Sequence, residues 1–265
     1  MPRAHRHYLP GHIWHITHRC HNRQFLFKNS ETRIEWLSRL KVGVERFQIA
    51  VLDYIVTCNH IHLLVQDSSI PNAIAKCMQL TQGCFAQDFN AEQQRKNAFW
   101  GDRYHATAIE SGVHLLRCIA YIDLNMVRAG VVSHPNDWKE SGFCEIEGDK
   151  FRNRIINLHR LCALLDAPDM VSLQKKHGEI INNIINNNQI VRDERWTTSI
   201  AVGSRQFVDI FSANLGKRVG NKKPQELSDE QFMLREPKTE VYGNEVSKSC
   251  FLEGNNQVKL LNLSD

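Results

Sequence analysis

The chain predicts an α+β fold, and three observations predict it. Alternation of apolar residues at a period of two marks strands at 12–19, 48–56, 61–66 and 104–110. Stretches of helical period stand between them at 30–47 and 71–89, and a third helix covers 111–130. The resulting order, β-α-β-β-α-β-α, fits the split βαβ arrangement: a ferredoxin-like antiparallel sheet with two helices on one face and the other face left for the third helix.

The first strand includes His15, and the first helix opens at Ser30. The helix at 71–89 begins with Pro71, whose fixed φ suits a first turn, and carries Ile74, Met78 and Phe85 among its apolar positions. The strand at 61–66 belongs to the run Thr57-Cys58-Asn59-His60-Ile61-His62-Leu63-Leu64-Val65. Strand alternation sends His60 and His62 off one face and Ile61, Leu63 and Val65 into the opposite, buried one. The helix at 111–130 has Ser111 as its N-cap and Gly130 just past its end, with Arg128 near the negative end of the dipole. At about 100° per residue Arg117, Tyr121, Asn125 and Arg128 share one stripe, while Leu115, Ile119, Ile122 and Met126 form an apolar stripe roughly 120° away.

Beyond this core the sequence predicts a helical extension, with helices at 151–165, 170–186 and 204–215; Asp169 and Ser204 are N-caps and Gly216 closes the last. The asparagine-rich run 182–188 reads as a helix end or loop, and 216–224 as a basic linker. The chain thus divides into three units: 1–147, 148–223 as a C-terminal helical extension, and 224–265 as a poorly ordered tail.

Composition narrows the function. A chain of 265 residues with 42% hydrophobic content can bury a sizeable core. Its net charge of +4 is mild, but the first thirty residues hold Arg3, Arg6, Arg19, Arg23 and Lys28 and no acid. Such an arm favours a polyanion, because each phosphate neutralised releases counterions; a merely solvated basic terminus is the plainer alternative. His5, His7, His12, His15, His18 and His21 crowd the same arm without a zinc spacing or paired cysteines. Cys20, Cys58, Cys77, Cys84, Cys118, Cys144, Cys162 and Cys250 show no C-x-x-C spacing, which points to buried thiols in a reducing compartment. A signal peptide and a run of about 18 apolar residues are both missing, so a cytoplasmic protein without membrane contact is expected. No Gly-Lys-Ser/Thr loop is present, which argues against a nucleotide cofactor.

The chemistry lies in the conjunction of strand and helix. Two neutral imidazoles side by side can bind a divalent cation, and a third ligand and a target must come from elsewhere. Alone, a His-x-His strand also serves as ordinary structure, and a tyrosine on an amphipathic helix is usually packing. Together with Asn125 one turn after Tyr121, and with arginines on the same stripe, they suggest attack by the Tyr121 phenolate on a phosphodiester. Asn125 would complete the metal site and the arginines would pair with phosphate.

These residues carry a resemblance. His60-Ile61-His62 resembles the His-hydrophobic-His motif of the HUH endonucleases, and Tyr121-Ile122-Asp123-Leu124-Asn125-Met126-Val127-Arg128-Ala129-Gly130 resembles the tyrosine helix of the single-tyrosine, insertion-sequence 200-like transposases. Within that group the chain is most similar to the REP-associated tyrosine transposases. The likeness begins near His15-Ile16-Thr17-His18-Arg19 with Asn22-Arg23-Gln24, includes Phe99-Trp100-Gly101-Asp102-Arg103-Tyr104 and reaches about Phe143; Ser199 to Phe207 also resembles extensions found on some members. Two departures are visible: Thr57-Cys58 replaces the family's Met-Pro, and Met126 replaces its Pro.

The resemblance implies metal ligands at His60, His62 and Asn125, a nucleophile at Tyr121, and Mg2+ or Mn2+ with water and phosphate oxygens filling the sphere. It implies cleavage and rejoining of single-stranded DNA at hairpin or repeat sequences through a 5′-phosphotyrosine. Arg3, Arg6, Arg19, Arg23, Arg103, Arg117 and Arg128 are then the candidates for DNA contact, and Trp14, Phe25 and Trp100 for stacking or core packing. A monomer is favoured over a dimer with shared sites. Two other readings stay open: a domesticated DNA-binding protein or repressor that does not cut, and a metal-dependent hydrolase that uses water.

Overall fold

The computed structural model describes residues 8–148, 154–216, 224–227 and 231–235, together with the backbone of two short strands at 251–252 and 259–260. The predicted core is present. Strands β1 (Ile13–Arg19), β2 (Ala50–Val56), β3 (His60–Gln66) and β4 (His105–Ile109) form an antiparallel sheet in the order β2-β3-β1-β4. Helices α1 (Ser30–Phe47) and α2 (Ala73–Glu92) follow the first and third strands. Asn29 caps α1 by accepting from the Thr32 amide, and Gln48 ends it in the left-handed region. The two helices cross closely at Gly43, where an added Cβ would lie 2.8 Å from Thr81 Oγ1 and 2.9 Å from Cys77 Sγ.

The strand register sorts side chains onto two faces. His62 faces Thr17 and His60 faces Arg19 across the β1–β3 ladder, and Thr107 faces His15 across β1–β4. One face therefore carries His15, Thr17, Arg19, His60, His62, His105 and Thr107. The other carries Trp14, Ile16, His18, Ile61 and Leu63, and next to it stands an aromatic cluster: Trp100 stacks on His18 and meets Phe27 and Phe99, which in turn pack on Phe85 of α2. Trp14, fully buried, stacks with Tyr8, and Trp100 gives its Nε1 proton to the Gln82 carbonyl, so both serve the core.

The histidine face is covered. Helix α3 (Val113–Asp123) packs against β2 and β4, followed after Leu124 by the single turn α4 (Asn125–Arg128). The helix starts one residue later than an N-cap at Ser111 predicts. Gly112, at φ +70, precedes it, and the Gly112 amide is given to the Leu164 carbonyl, so no side chain caps this end. Gly130, at φ +68, sits past the end as expected.

The extension differs more. After α5 (Phe143–Glu147) at the end of the first unit, it holds α6 (Leu158–Leu164), α7 (Met170–Asn186), α8 (Arg195–Thr198) and α9 (Arg205–Leu215), with Asp169 and Ser204 as the N-caps of α7 and α9. The helix expected from 151 begins only at Leu158, because Glu145 Oε2 takes the amides of Ile155 and Ile156, Ile156 bridges to β2, and Asn157 caps α6. The extension is also not purely helical. Residues Ser199–Gly203 form β5, which pairs parallel with β4, and Phe232–Arg235, inside the expected tail, form β7 against β5, with β6 (Gln225–Glu226) at the edge. A short buried strand such as Ile200-Ala201-Val202 has no alternation to announce it. Residues 217–223 of the basic linker expected at 216–224, and the residues from 236 on, two short strands apart, lie outside the described residues. Among the described residues no helix is long and apolar enough to cross a membrane, and Cys20, Cys77, Cys84, Cys118, Cys144 and Cys162 are free thiols.

Candidate active site

His60 and His62 leave β3 on the covered face with ring centroids 5.0 Å apart. The Tyr121 ring stands 5.9 Å from that of His62 and 6.3 Å from that of His15. One turn on, Asn125 Nδ2 lies 3.1 Å from His62 Nε2. Strand pair and tyrosine helix thus meet, although across 63 residues of intervening sequence nothing local requires it. A half-turn of the Asn125 amide presents Oδ1 at the same point.

Both histidines are oriented by a second partner. His60 Nδ1 lies 2.7 Å from Asn59 Oδ1 and 2.8 Å from Thr57 Oγ1. Asn59 gives its Nδ2 proton to the Arg23 carbonyl, which fixes the amide and leaves Oδ1 to accept from His60. His60 Nε2 therefore carries a lone pair. His62 Nδ1 is held at 2.8 Å by His15, so the nitrogen it turns towards Asn125 is also Nε2. Thr57, one of the two departures from the family pattern, touches the imidazole directly; sequence reasoning had given it no such contact. Met126, the other, is buried core.

The electrostatics keep these rings neutral. Burial, and then the charges of Arg19, Arg128 and Arg192, push His60 well below its ordinary pKa. Burial followed by His15, His60 and Arg128 does the same for His62, and burial takes His15 down to about 3. Tyr121 is raised by burial, with Arg128 and Arg192 pulling the other way. The Arg128 guanidinium lies 4.2 Å from the centre of the Tyr121 ring and donates to the Tyr121 carbonyl at 3.2 Å.

Of the arginines singled out by sequence, Arg19 stands opposite His60 in register, and Arg117 and Arg128 line a cavity of about 280 Å³ beside Tyr121. Arg23 is exposed in the turn after β1, where its carbonyl holds Asn59. Arg103 is exposed in the loop before β4, its amide given to Asp102 Oδ1. Arg3 and Arg6 lie outside the described residues, as do His5 and His7.

Sequence reasoning missed what the extension adds. The cavity beside Tyr121 is also lined by Asp193, Arg195, Trp196 and Gln231. The Trp196 ring lies 6.3 Å from that of Tyr121, and its carbonyl takes hydrogen bonds from His15 and Thr107. Behind the site His177 of α7 bridges Asp123 and Glu147. No local spacing marks any of these; they are single polar residues in stretches whose pattern is otherwise ordinary.

Such a donor set suits a cation with open positions. Among the described residues no three His, Cys, Asp or Glu side chains gather at one point; His62 Nε2 meets the Asn125 amide instead, with the His60 ring 5.0 Å from that of His62. That leaves coordination sites for oxygen ligands, as a catalytic rather than a structural metal site requires.

The sheet, the histidine pair and the tyrosine helix define a class. Residues 9–125 match the family model described as transposase IS200 like. Among solved structures, a REP-associated tyrosine transposase bound to a REP hairpin aligns at 19% identity and a TM-score of 0.46, covering 59% of this chain and all 100% of that one. A structure described as a candidate transposase from Deinococcus radiodurans R1 aligns at 14% identity and a TM-score of 0.31, covering 39% of this chain and 83% of the other. No curated protein matches the chain.

Proposed function

We propose that this protein is a single-tyrosine transposase that cleaves and rejoins single-stranded DNA at hairpin or repeat sequences. The observation that carries the reading is the convergence of Tyr121 and Asn125 on His62, with the Tyr121 ring 5.9 Å away and the amide at 3.1 Å.

The Tyr121 phenol gives up its proton to solvent, and its Oη attacks the scissile phosphorus. An Oη–P bond forms, the P–O3′ bond breaks, and the leaving 3′-oxygen takes up a proton, giving a 5′-phosphotyrosine and a free 3′-hydroxyl. Rejoining reverses these steps with a 3′-hydroxyl as nucleophile. Because the covalent link conserves the bond energy, no nucleotide cofactor is needed. His60, His62 and Asn125 would hold Mg2+ or Mn2+, which when bound supplies Lewis-acid polarisation of the phosphate. Arg128 and Arg192 favour the anion of the phenol, and Arg128 and Arg117, which line the cavity beside it, pair with phosphate oxygens. Arg19, Arg23 and Arg103, with Arg3 and Arg6 of the basic arm, contact the DNA backbone or bases. The same reading makes the protein a cytoplasmic monomer.

Labelled hairpin DNA with a single-stranded flank, incubated with the protein and Mg2+ or Mn2+, tests this on a denaturing gel. A protein–DNA adduct that disappears in Tyr121→Phe is expected. Cleavage that survives Tyr121→Phe would instead identify a hydrolase using water, and binding without cleavage a non-cutting DNA-binding protein.

A further inference from the structure

His15 sits at the centre of a directional chain of hydrogen bonds. Its Nδ1 lies 2.8 Å from the Trp196 carbonyl oxygen, and its Nε2 lies 2.8 Å from His62 Nδ1. A carbonyl oxygen only accepts, so His15 Nδ1 carries the proton of the first bond. The His15 ring is fully buried and both its nitrogens are engaged by neutral groups; as a neutral imidazole its Nε2 is then bare and accepts. The proton of the second bond belongs to His62 Nδ1, and the His62 lone pair is left on Nε2, facing Asn125.

The packing holds this order in place. The two rings lie nearly parallel, 16° apart with centroids at 5.0 Å. The Trp196 carbonyl also accepts from Thr107 Oγ1 at 3.2 Å, and Trp196 is itself buried. Trp196 stands in α8, outside the segment 9–125 that the family model covers.

We propose that His15, anchored by the Trp196 carbonyl, is a positioning residue that locks His62 in its Nδ1–H tautomer, so that the C-terminal extension takes part in assembling the cation site. This rests on the reading of His60, His62 and Asn125 as that site. A partner that fixes a ligating imidazole typically contributes about 10- to 100-fold to metal affinity. A histidine that merely fills the core would contribute nothing to it.

The test uses the full chain with Mn2+ as the probe. Long-range proton–nitrogen spectra of the imidazoles, recorded without metal, are expected to show His62 protonated on Nδ1. Titration calorimetry is expected to show His15→Leu binding Mn2+ about 10- to 100-fold more weakly, and His15→Gln, whose Oε1 accepts in place of Nε2, within about threefold of the parent. In His15→Leu the His62 spectrum should shift towards the Nε2–H form. The proposal is overturned if His62 in the parent protein is protonated on Nε2, a result that needs no variant to fold, or if folded His15→Leu binds Mn2+ as the parent does. A parent protein that binds no Mn2+ but shows His62 protonated on Nδ1 overturns the cation site, while the hydrogen-bond order stands.

Discussion

His177 Nε2 lies 2.7 Å from Asp123 Oδ2, and this contact, beside the packing of Ile181 with Ala120 and Leu124, joins α7 of the extension to the helical segment between Tyr121 and Asn125. On its other side His177 Nδ1 meets Glu147 at 2.5 Å. Both His177 and Asp123 are almost fully buried, so each makes the other's charge tolerable.

Replacing His177 by leucine removes one half of this arrangement and leaves Asp123 buried without it. Loss of one partner of a buried pair costs about 3–5 kcal/mol, which urea denaturation of His177→Leu should register as a lower midpoint with an unchanged slope. Because Asp123 lies between Tyr121 and Asn125, adduct formation should fall as well.

The same residue sets a pH dependence. Burial opposes its charge, but hydrogen bonds and charges from Asp123 and Glu147 outweigh burial and raise the His177 pKa from 6.5 to about 9. A raised folded-state pKa means stability that is fully present below about 6.5 and lost as pH rises towards 9, a window worth at most about 3 kcal/mol. Thermal midpoints of the parent should decline across that window, and those of His177→Gln should stay flatter.

Arg128 lies over the Tyr121 ring, where its charge favours the phenolate. Arg128→Ala should slow single-turnover adduct formation about 10-fold or more, and Arg128→Lys should restore only part of the rate, because a lysine lacks the planar fork. An unchanged rate in both variants would remove Arg128 from the site.

Gly43 tests the packing beneath the sheet. On helix propensity alone Gly43→Ala would gain up to about 1 kcal/mol. Its Cβ, however, would meet Thr81 Oγ1 at 2.8 Å and Cys77 Sγ at 2.9 Å, both short side chains held in the core. Overpacking of this kind costs about 1–3 kcal/mol, so net destabilisation by chemical denaturation is expected.

Chelation offers a further check on the proposed site. EDTA should abolish adduct formation and excess Mn2+ restore it. His62→Ala should lose Mn2+ binding, and Asn125→Ala should weaken it about 10-fold, since the amide is the least basic of the three donors.

Much of the core was legible because its signals are local. Helix α1 begins and ends where its period predicts, and strand β3 begins only one residue earlier than expected. The pairing of Tyr121 with Asn125 was legible too, since residues four apart share a helix face. Residue spacing could not reveal that Thr57 holds His60, because a threonine before a strand has many ordinary uses. Nor could it reveal β5 and β7, short strands whose pairing partners are distant in sequence.

The amino-acid order by itself determined the alternation of strands and helices, the shared face of His60 and His62, and the stripe that carries Tyr121, Asn125 and Arg128, because these arise from backbone periods of 2.0 and 3.6. Only the tertiary structure decided that the Trp196 carbonyl reaches His15 across 181 residues and that His177 reaches Asp123 across 54. Contacts of that range depend on how the extension packs over the sheet, and packing of distant surfaces leaves no period in the chain.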